Sequence, residues 1–214
     1  MGRKWMAIAI AGLCVGMTSA AFADTQLKLT GTGGQVVNDG SESVYVYPYY
    51  FTVGTGASAQ KNVALLCVSF DQEIYQNETW DVTITQLSSA SSDFDKEEAY
   101  LDSLMIGTSD LSKIAEIQYA DWYLSDPAKV GATHFYNTDS NIANYVTAAE
   151  NSLNTMNYSA FELYVPVAGS QLPVGDGLPQ TFIGPAPAPE PGSLALLGTG
   201  LLGLGGVVRR RLRK

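Results

Sequence analysis

The chain is short of the residues that build most active sites. It has one histidine, His134, and two cysteines, Cys14 and Cys67, in 214 residues. One histidine cannot supply a usual zinc site, and no Ser/His/Asp spacing surrounds it. Charged residues are only 15% of the chain, and acidic ones outnumber basic ones 21 to 12. The resulting net charge of −9 argues against nucleic acid and anionic surfaces as partners. Gly31-Thr32-Gly33-Gly34 has no following lysine and helix, so it reads as a turn and not a phosphate loop. Asp93, Asp95, Glu97 and Glu98 can be read as paired carboxylates for hydrolysis, but a solvated helix start explains them more simply. These absences leave no catalytic constellation, cofactor or metal site to expect.

The two ends are rich in signal. Arg3 and Lys4 precede an apolar run from Met6 to Met17, and Ala21-Phe22-Ala23 has the small-x-small form of a cleavage site. Residues 1–23 are therefore expected to be a secretory signal peptide handled by the secretion translocon and signal peptidase, with Asp24 opening the exported part. The run is too short for a permanent anchor. At the other end, Pro185-Ala186-Pro187-Ala188-Pro189-Glu190-Pro191 is stiff and extended, because proline fixes φ and favours polyproline II. Ser193 to Val208 is apolar and glycine-rich, and Arg209, Arg210, Arg211, Arg213 and Lys214 follow. A hydrophobic helix over that run reaches about 24 Å at about 1.5 Å per residue. A hydrocarbon core is about 30 Å thick, so the segment suits transient membrane insertion, with its basic end cytoplasmic.

Pro189-Glu190-Pro191, the apolar stretch and the basic cluster resemble the PEP-CTERM sorting tail. That resemblance implies recognition by exosortase in a Gram-negative bacterium and delivery of the exported part to the cell surface or extracellular matrix. The expected organisation is a signal peptide (1–23), an exported globular domain (24–184), and a Pro-rich linker with the sorting tail (185–214).

Within the exported domain the first half reads as strands. Gln26 to Thr30 is short and alternating, and Ser43 to Val53 is β-type but interrupted by Pro48. Val63 to Phe70 is continuously apolar, and Thr79 to Leu87 alternates Trp80, Val82 and Ile84 with polar residues. Helical spacing then takes over. Asp93 is expected to cap a helix with Phe94, Leu101, Leu104 and Met105 on one side, ended by Gly107. Thr108 or Ser109 opens a second helix, running to Leu124 or Ser125. A polar stretch through His134 follows. Asp139 or Ser140 opens a third, with Ile142, Tyr145, Val146, Ala149 and Leu153 on one face. Phe161 to Val167 is a final strand. The fold class expected is α+β, with an antiparallel, sandwich-like sheet and a block of about three helices.

Two residues are out of place in this pattern. Loss of Cys14 with the signal peptide leaves Cys67 alone on a buried strand, without a disulfide partner. On the second helix, Leu111, Ile114, Ala115 and Trp122 define an apolar face, and Gln118 points near its centre. A thiolate can attack a glutamine side-chain carbonyl and expel ammonia, leaving an internal thioester. Fixed geometry supplies effective molarities on the order of 10⁵ M. Apolar neighbours such as Trp80 and Trp122 would exclude water. The same two residues also fit inert packing, since a free cysteine is a small hydrophobe and a buried glutamine can bridge backbone groups.

Leu66-Cys67-Val68-Ser69-Phe70-Asp71 and Ile117-Gln118-Tyr119-Ala120-Asp121-Trp122 resemble the two motifs of bacterial thioester domains. The resemblance implies Cys67 as nucleophile, Gln118 as acyl donor, and capture of an amine or hydroxyl on a surface partner. Two positions depart from the pattern: Ile117 stands for a threonine and Asp121 for an apolar residue. A second candidate surface is a ladder of Tyr45, Tyr47 and Tyr49, which could stack on exopolysaccharide sugars or could simply pack on a neighbouring sheet.

Overall fold

The computed structural model describes residues 25–33, 35–40, 42–170, 179–187 and 199–200. The expected signal peptide, Pro189, Glu190 and Pro191, and nearly all of the predicted C-terminal hydrophobic helix lie outside the described residues. Among the described residues no helix is long and apolar enough to cross a membrane.

The strands are β1 (Thr25–Thr32), β2 (Val36–Asn38), β3 (Ser43–Tyr45), β4 (Tyr49–Val53), β5 (Gln60–Cys67), β6 (Thr79–Gln86), β7 (Phe161–Pro166) and β8 (Phe182–Pro185). Six of them close into a barrel in the order β1-β4-β5-β8-β7-β6, every pair antiparallel. β2 and β3 form a separate two-stranded sheet. The expected sandwich-like sheet is thus corrected to a closed barrel, which leaves no open edge. Its interior is built by alternation. Leu27 and Leu29 on β1, and Trp80 and Val82 on β6, are buried between exposed Gln26, Lys28, Asp81 and Thr83. Phe51, Trp80 and Phe182 meet edge-on or tilted inside, with centroids 4.6–6.2 Å apart.

Two sequence expectations change for reasons of backbone chemistry. The tyrosine-rich run splits at Pro48, which lacks an N–H for a ladder. β3 goes to the small sheet and β4 to the barrel, with a cis Tyr47–Pro48 bond between them. Phe161 to Val167, expected as the final strand, is followed by β8, which runs one residue past the expected domain end at 184. Its bonds to β5 and β7 come from residues far away in the chain.

Five helices follow β6: α1 (Asp93–Met105), α2 (Leu111–Ser125), α3 (Pro127–Val130), α4 (His134–Thr138) and α5 (Ser140–Glu150). The polar stretch after α2 therefore holds two short helices, and His134 opens the second of them. α1 starts one residue earlier than Asp93 would place it. Ser92 Oγ accepts the Asp95 N–H at 3.1 Å, and Asp95 Oδ2 accepts the Ser92 N–H at 3.2 Å, a reciprocal capping box. Replacing Ser92 by alanine is expected to cost about 1 kcal/mol. Urea unfolding checks this, with an unchanged midpoint as the contrary result. Asp110, not Thr108 or Ser109, caps α2 by accepting the Ser112 and Lys113 N–H groups.

α2 is the central helix. It packs against α1, α3 and α5. Ile114, Ala115 and every residue from Ile117 to Trp122 are buried, whereas Leu111, expected on the apolar face, is 54% exposed. On α1 the apolar side is also shifted. Phe94 is exposed and Leu104 half-buried, while Glu98 and Asp102 are buried with Leu101 and Met105.

Candidate functional site

The two odd residues meet where β5 ends under α2. Cys67 is the last residue of β5, pairs with Phe182 across to β8, and is fully buried. Directly opposed residues in an antiparallel ladder point to the same face, so the thiol faces the barrel interior, as Phe182 does. Gln118 is also fully buried. Its Nε2 donates to the backbone carbonyl of Cys67 at 2.7 Å, and its Oε1 accepts the Tyr47 N–H at 3.2 Å. The glutamine therefore bridges the end of β5 to the β3–β4 connection.

The thiol itself has other partners. Cys67 Sγ lies within donating reach of the Ser69 carbonyl at 3.3 Å and of Gln180 Oε1 at 3.2 Å. The Gln180 amide in turn donates to the Gln72 carbonyl. Burial pushes the thiol pKa up to about 12. The Ser69 backbone, the nearby Trp122 side chain and the Gln180 side chain work against that rise, and the charge of Asp121 adds to it, although Trp122 Nε1 has no hydrogen-bond partner among the described residues. At neutral pH the resting group is a thiol, so a proton must leave before the sulfur can act as nucleophile.

Beside Trp122 and Gln180 lies a cleft of about 690 Å³. Trp122 and Gln180 form part of its wall, so the groups that touch Cys67 also face the cleft. Tyr45 and Tyr75, 50% and 47% exposed, are further lining residues, as are Glu42, Glu73 and Asp71. Lys129 pairs with Asp71 at 2.5 Å and holds that carboxyl below its ordinary pKa. A smaller hollow of about 400 Å³ opens beside Val68, Ser69, Phe94 and Glu98.

A set of carboxyls accompanies the pair. Glu98, Asp102 and Asp121 are 1%, 0% and 0% exposed. Both oxygens of Asp102, both of Asp121 and Oε1 of Glu98 have no hydrogen-bond partner among the described residues. Burial drives all three pKa values well above the ordinary carboxylate range. Glu98 feels Asp121, and Asp121 feels Asp102, which reinforces the rise. No cluster of His, Cys, Asp and Glu among the described residues has the arrangement of a metal site.

The structure thus brings Cys67, Gln118 and Trp122 together. Trp80 stays with Phe51 and Phe182 in the barrel core. The tyrosines do not form one ladder: Tyr45 is exposed, Tyr47 half-buried, and Tyr49 buried in β4 with its hydroxyl donating to the Tyr45 carbonyl at 2.6 Å. Sequence reasoning missed Gln180, which no local pattern marks. It also missed the buried acids. Glu98 and Asp102 are four residues apart, on the Leu101–Met105 side of α1, and that spacing was a usable signal.

Comparison with known proteins touches only the far end of the chain. Residues 187–211 match the PEP-CTERM protein-sorting motif, which implies an exported protein that transits the membrane and is processed by exosortase. No curated protein and no solved structure matches the chain.

Proposed function

We propose that the exported domain is a covalent attachment module, in which Cys67 and Gln118 condense to an internal thioester that is opened by an amine or hydroxyl on a surface partner. The observation that supports this reading is the hydrogen bond from the Gln118 carboxamide to the Cys67 backbone carbonyl, 2.7 Å long and fully buried, which keeps the two residues adjacent. In the reaction the Cys67 Sγ–Gln118 Cδ bond forms, the Cδ–Nε2 bond breaks, and the thiol proton leaves with ammonia. Fixing both groups on β5 and α2 supplies the effective concentration that an amide electrophile requires. The dry surroundings, with Trp122 beside the sulfur, slow hydrolysis of the product. The 690 Å³ cleft, walled in part by Trp122 and Gln180, is the side from which a partner's nucleophile would approach.

Intact mass of the purified exported protein tests the reading. The expected mass is one ammonia short of the sequence value, and methylamine converts it to a species one methylene heavier than the sequence value by labelling Gln118. A full mass with Cys67 freely alkylated in the native protein would sink the idea. Cys67→Ala should abolish both the deficit and the labelling.

A second reading keeps the same cleft but no covalent step. Half-exposed Tyr45 and Tyr75 on its wall are suited to stacking on sugar rings, which favours exopolysaccharide as a bound partner. Retention of the protein on an exopolysaccharide matrix should fall when Tyr45 and Tyr75 are replaced by alanine. Undiminished retention would remove this reading.

A further inference from the structure

The condensation described above needs a proton moved from sulfur to nitrogen in a place closed to water. Neither Cys67 nor Gln118 provides the carrier. The groups bonded to the thiol are amides and carbonyls, from Ser69 and Gln180, which do not titrate. The nearest titratable chemistry is on α2. Asp121 lies three residues after Gln118, on adjoining positions of the same helix face, and its charge is felt at the Cys67 thiol. Both of its oxygens are buried and unpartnered. A carboxyl left without any structural bond in the dry centre of a domain is costly unless it stays neutral. Asp102 and Glu98 face it from α1. Glu98, itself 1% exposed, lies against the 400 Å³ hollow on the side of α1, and Ser69 lines the same hollow.

We propose that Asp121, backed by Glu98, carries the protons of the Cys67–Gln118 condensation, and that the hollow beside Glu98 is where the Asp121 carboxyl equilibrates with solvent between reactions. The proposal rests on the thioester reading and adds a carrier and a route. In closure, the S–C bond forms first, with one oxygen of neutral Asp121 taking the thiol proton while the other gives its proton to Gln118 Nε2. The Cδ–N bond of the tetrahedral adduct then breaks, and ammonia departs. In opening by an amine, the N–C bond forms and the C–S bond breaks. The amine proton passes to Asp121 while the proton of Asp121 passes to the Cys67 sulfur. Atoms and charge balance in both directions with no other reactant. A carboxyl whose pKa is raised by burial is protonated at working pH, as this cycle requires. The partner's nucleophile and the proton then use different openings, the large cleft by Trp122 and Gln180 and the small hollow by Glu98.

The test uses the full chain, expressed with export and purified. Opening with ammonia regenerates the thiol and the carboxamide; on removal of ammonia, re-closure is followed by intact mass. Asp121→Asn should slow re-closure about 10²-fold or more. It should also flatten the pH profile, with Asp121→Glu restoring most of the rate. Glu98→Gln should slow re-closure in dilute buffer and be rescued by formate, which enters through the hollow. That second variant decides the matter if Asp121→Asn fails to fold. Wild-type rates and pH profiles in both variants would overturn the carrier while leaving the thioester in place. A wild-type protein that never shows the ammonia deficit would overturn the thioester reading and the carrier with it.

Discussion

Raising the pH through the neutral range should destabilise this domain, and replacing Asp102 by asparagine should remove part of that loss. Glu98, Asp102 and Asp121 are buried without enough partners, and burial raises the pKa of each well above the ordinary range. In the unfolded chain the same groups release their protons at about pH 4. Below that pH both states are protonated and the groups impose no penalty. Above it, the unfolded chain has lost protons that the folded domain still holds, so stability falls as pH rises. Each such group makes stability fall with rising pH until its own folded pKa is passed. Asp71 acts in the opposite sense, because Lys129 lowers its pKa, but both side chains are about half exposed and solvent screens the pair. Urea midpoints measured from pH 4 to pH 8 should therefore decline, and Asp102→Asn should decline less steeply and exceed wild type at the alkaline end. Asp102 is the informative choice because it stands behind Asp121 and takes no part in the proposed condensation. A wild-type stability that climbed over this range would contradict the argument.

Gln118→Leu should be among the most destabilising single changes in the domain. Leucine is of similar size and suits the apolar face of α2, so packing alone predicts a mild effect. The hydrogen bonds predict otherwise. Without the carboxamide, the Cys67 carbonyl loses its 2.7 Å donor and the Tyr47 N–H loses its 3.2 Å acceptor. A buried backbone group left unsatisfied costs about 1–3 kcal/mol, and two are left here. Domains of this size have only about 5–15 kcal/mol of net stability. Compared with the uncondensed wild type, which keeps the carboxamide, Cys67→Ala removes one sulfur and leaves both of those bonds in place, so it should be much milder. Thermal unfolding of the two variants side by side gives the comparison. Equal midpoints would mean that Gln118 is not the bridge between β5 and the β3–β4 connection.

The sequence carried the local chemistry of this fold better than its closure. The β1 and β6 alternation, the three longer helices and the buried Cys67 and Gln118 follow from periodicity within a few residues of each position. The barrel does not, because closing it requires β8, four residues whose partners are about 20 positions back on β7 and more than 110 positions back on β5. Gln180 at the thiol was hidden for the same reason. Asp102 and Asp121 were hidden differently. Carboxyls on a helix are normally solvated, and only the packing of α1 against α2 and the barrel shows that these are not. The departure at Asp121 from the thioester-domain pattern, which counted against the resemblance, is the residue to which we assign proton transfer.

β8 also decides how the domain would bear a mechanical load. It is the last strand before the sorting tail, and it lies between β5 and β7, antiparallel to both. Ladder bonds run across the strands, so tension applied from the tail along β8 strains both rows together in shear instead of opening them one at a time. Cys67 pairs with Phe182 in one of those rows. A bond from its sulfur to Gln118 would rivet that row to α2, and force arriving through the tail would be shared by the helices as well as the barrel.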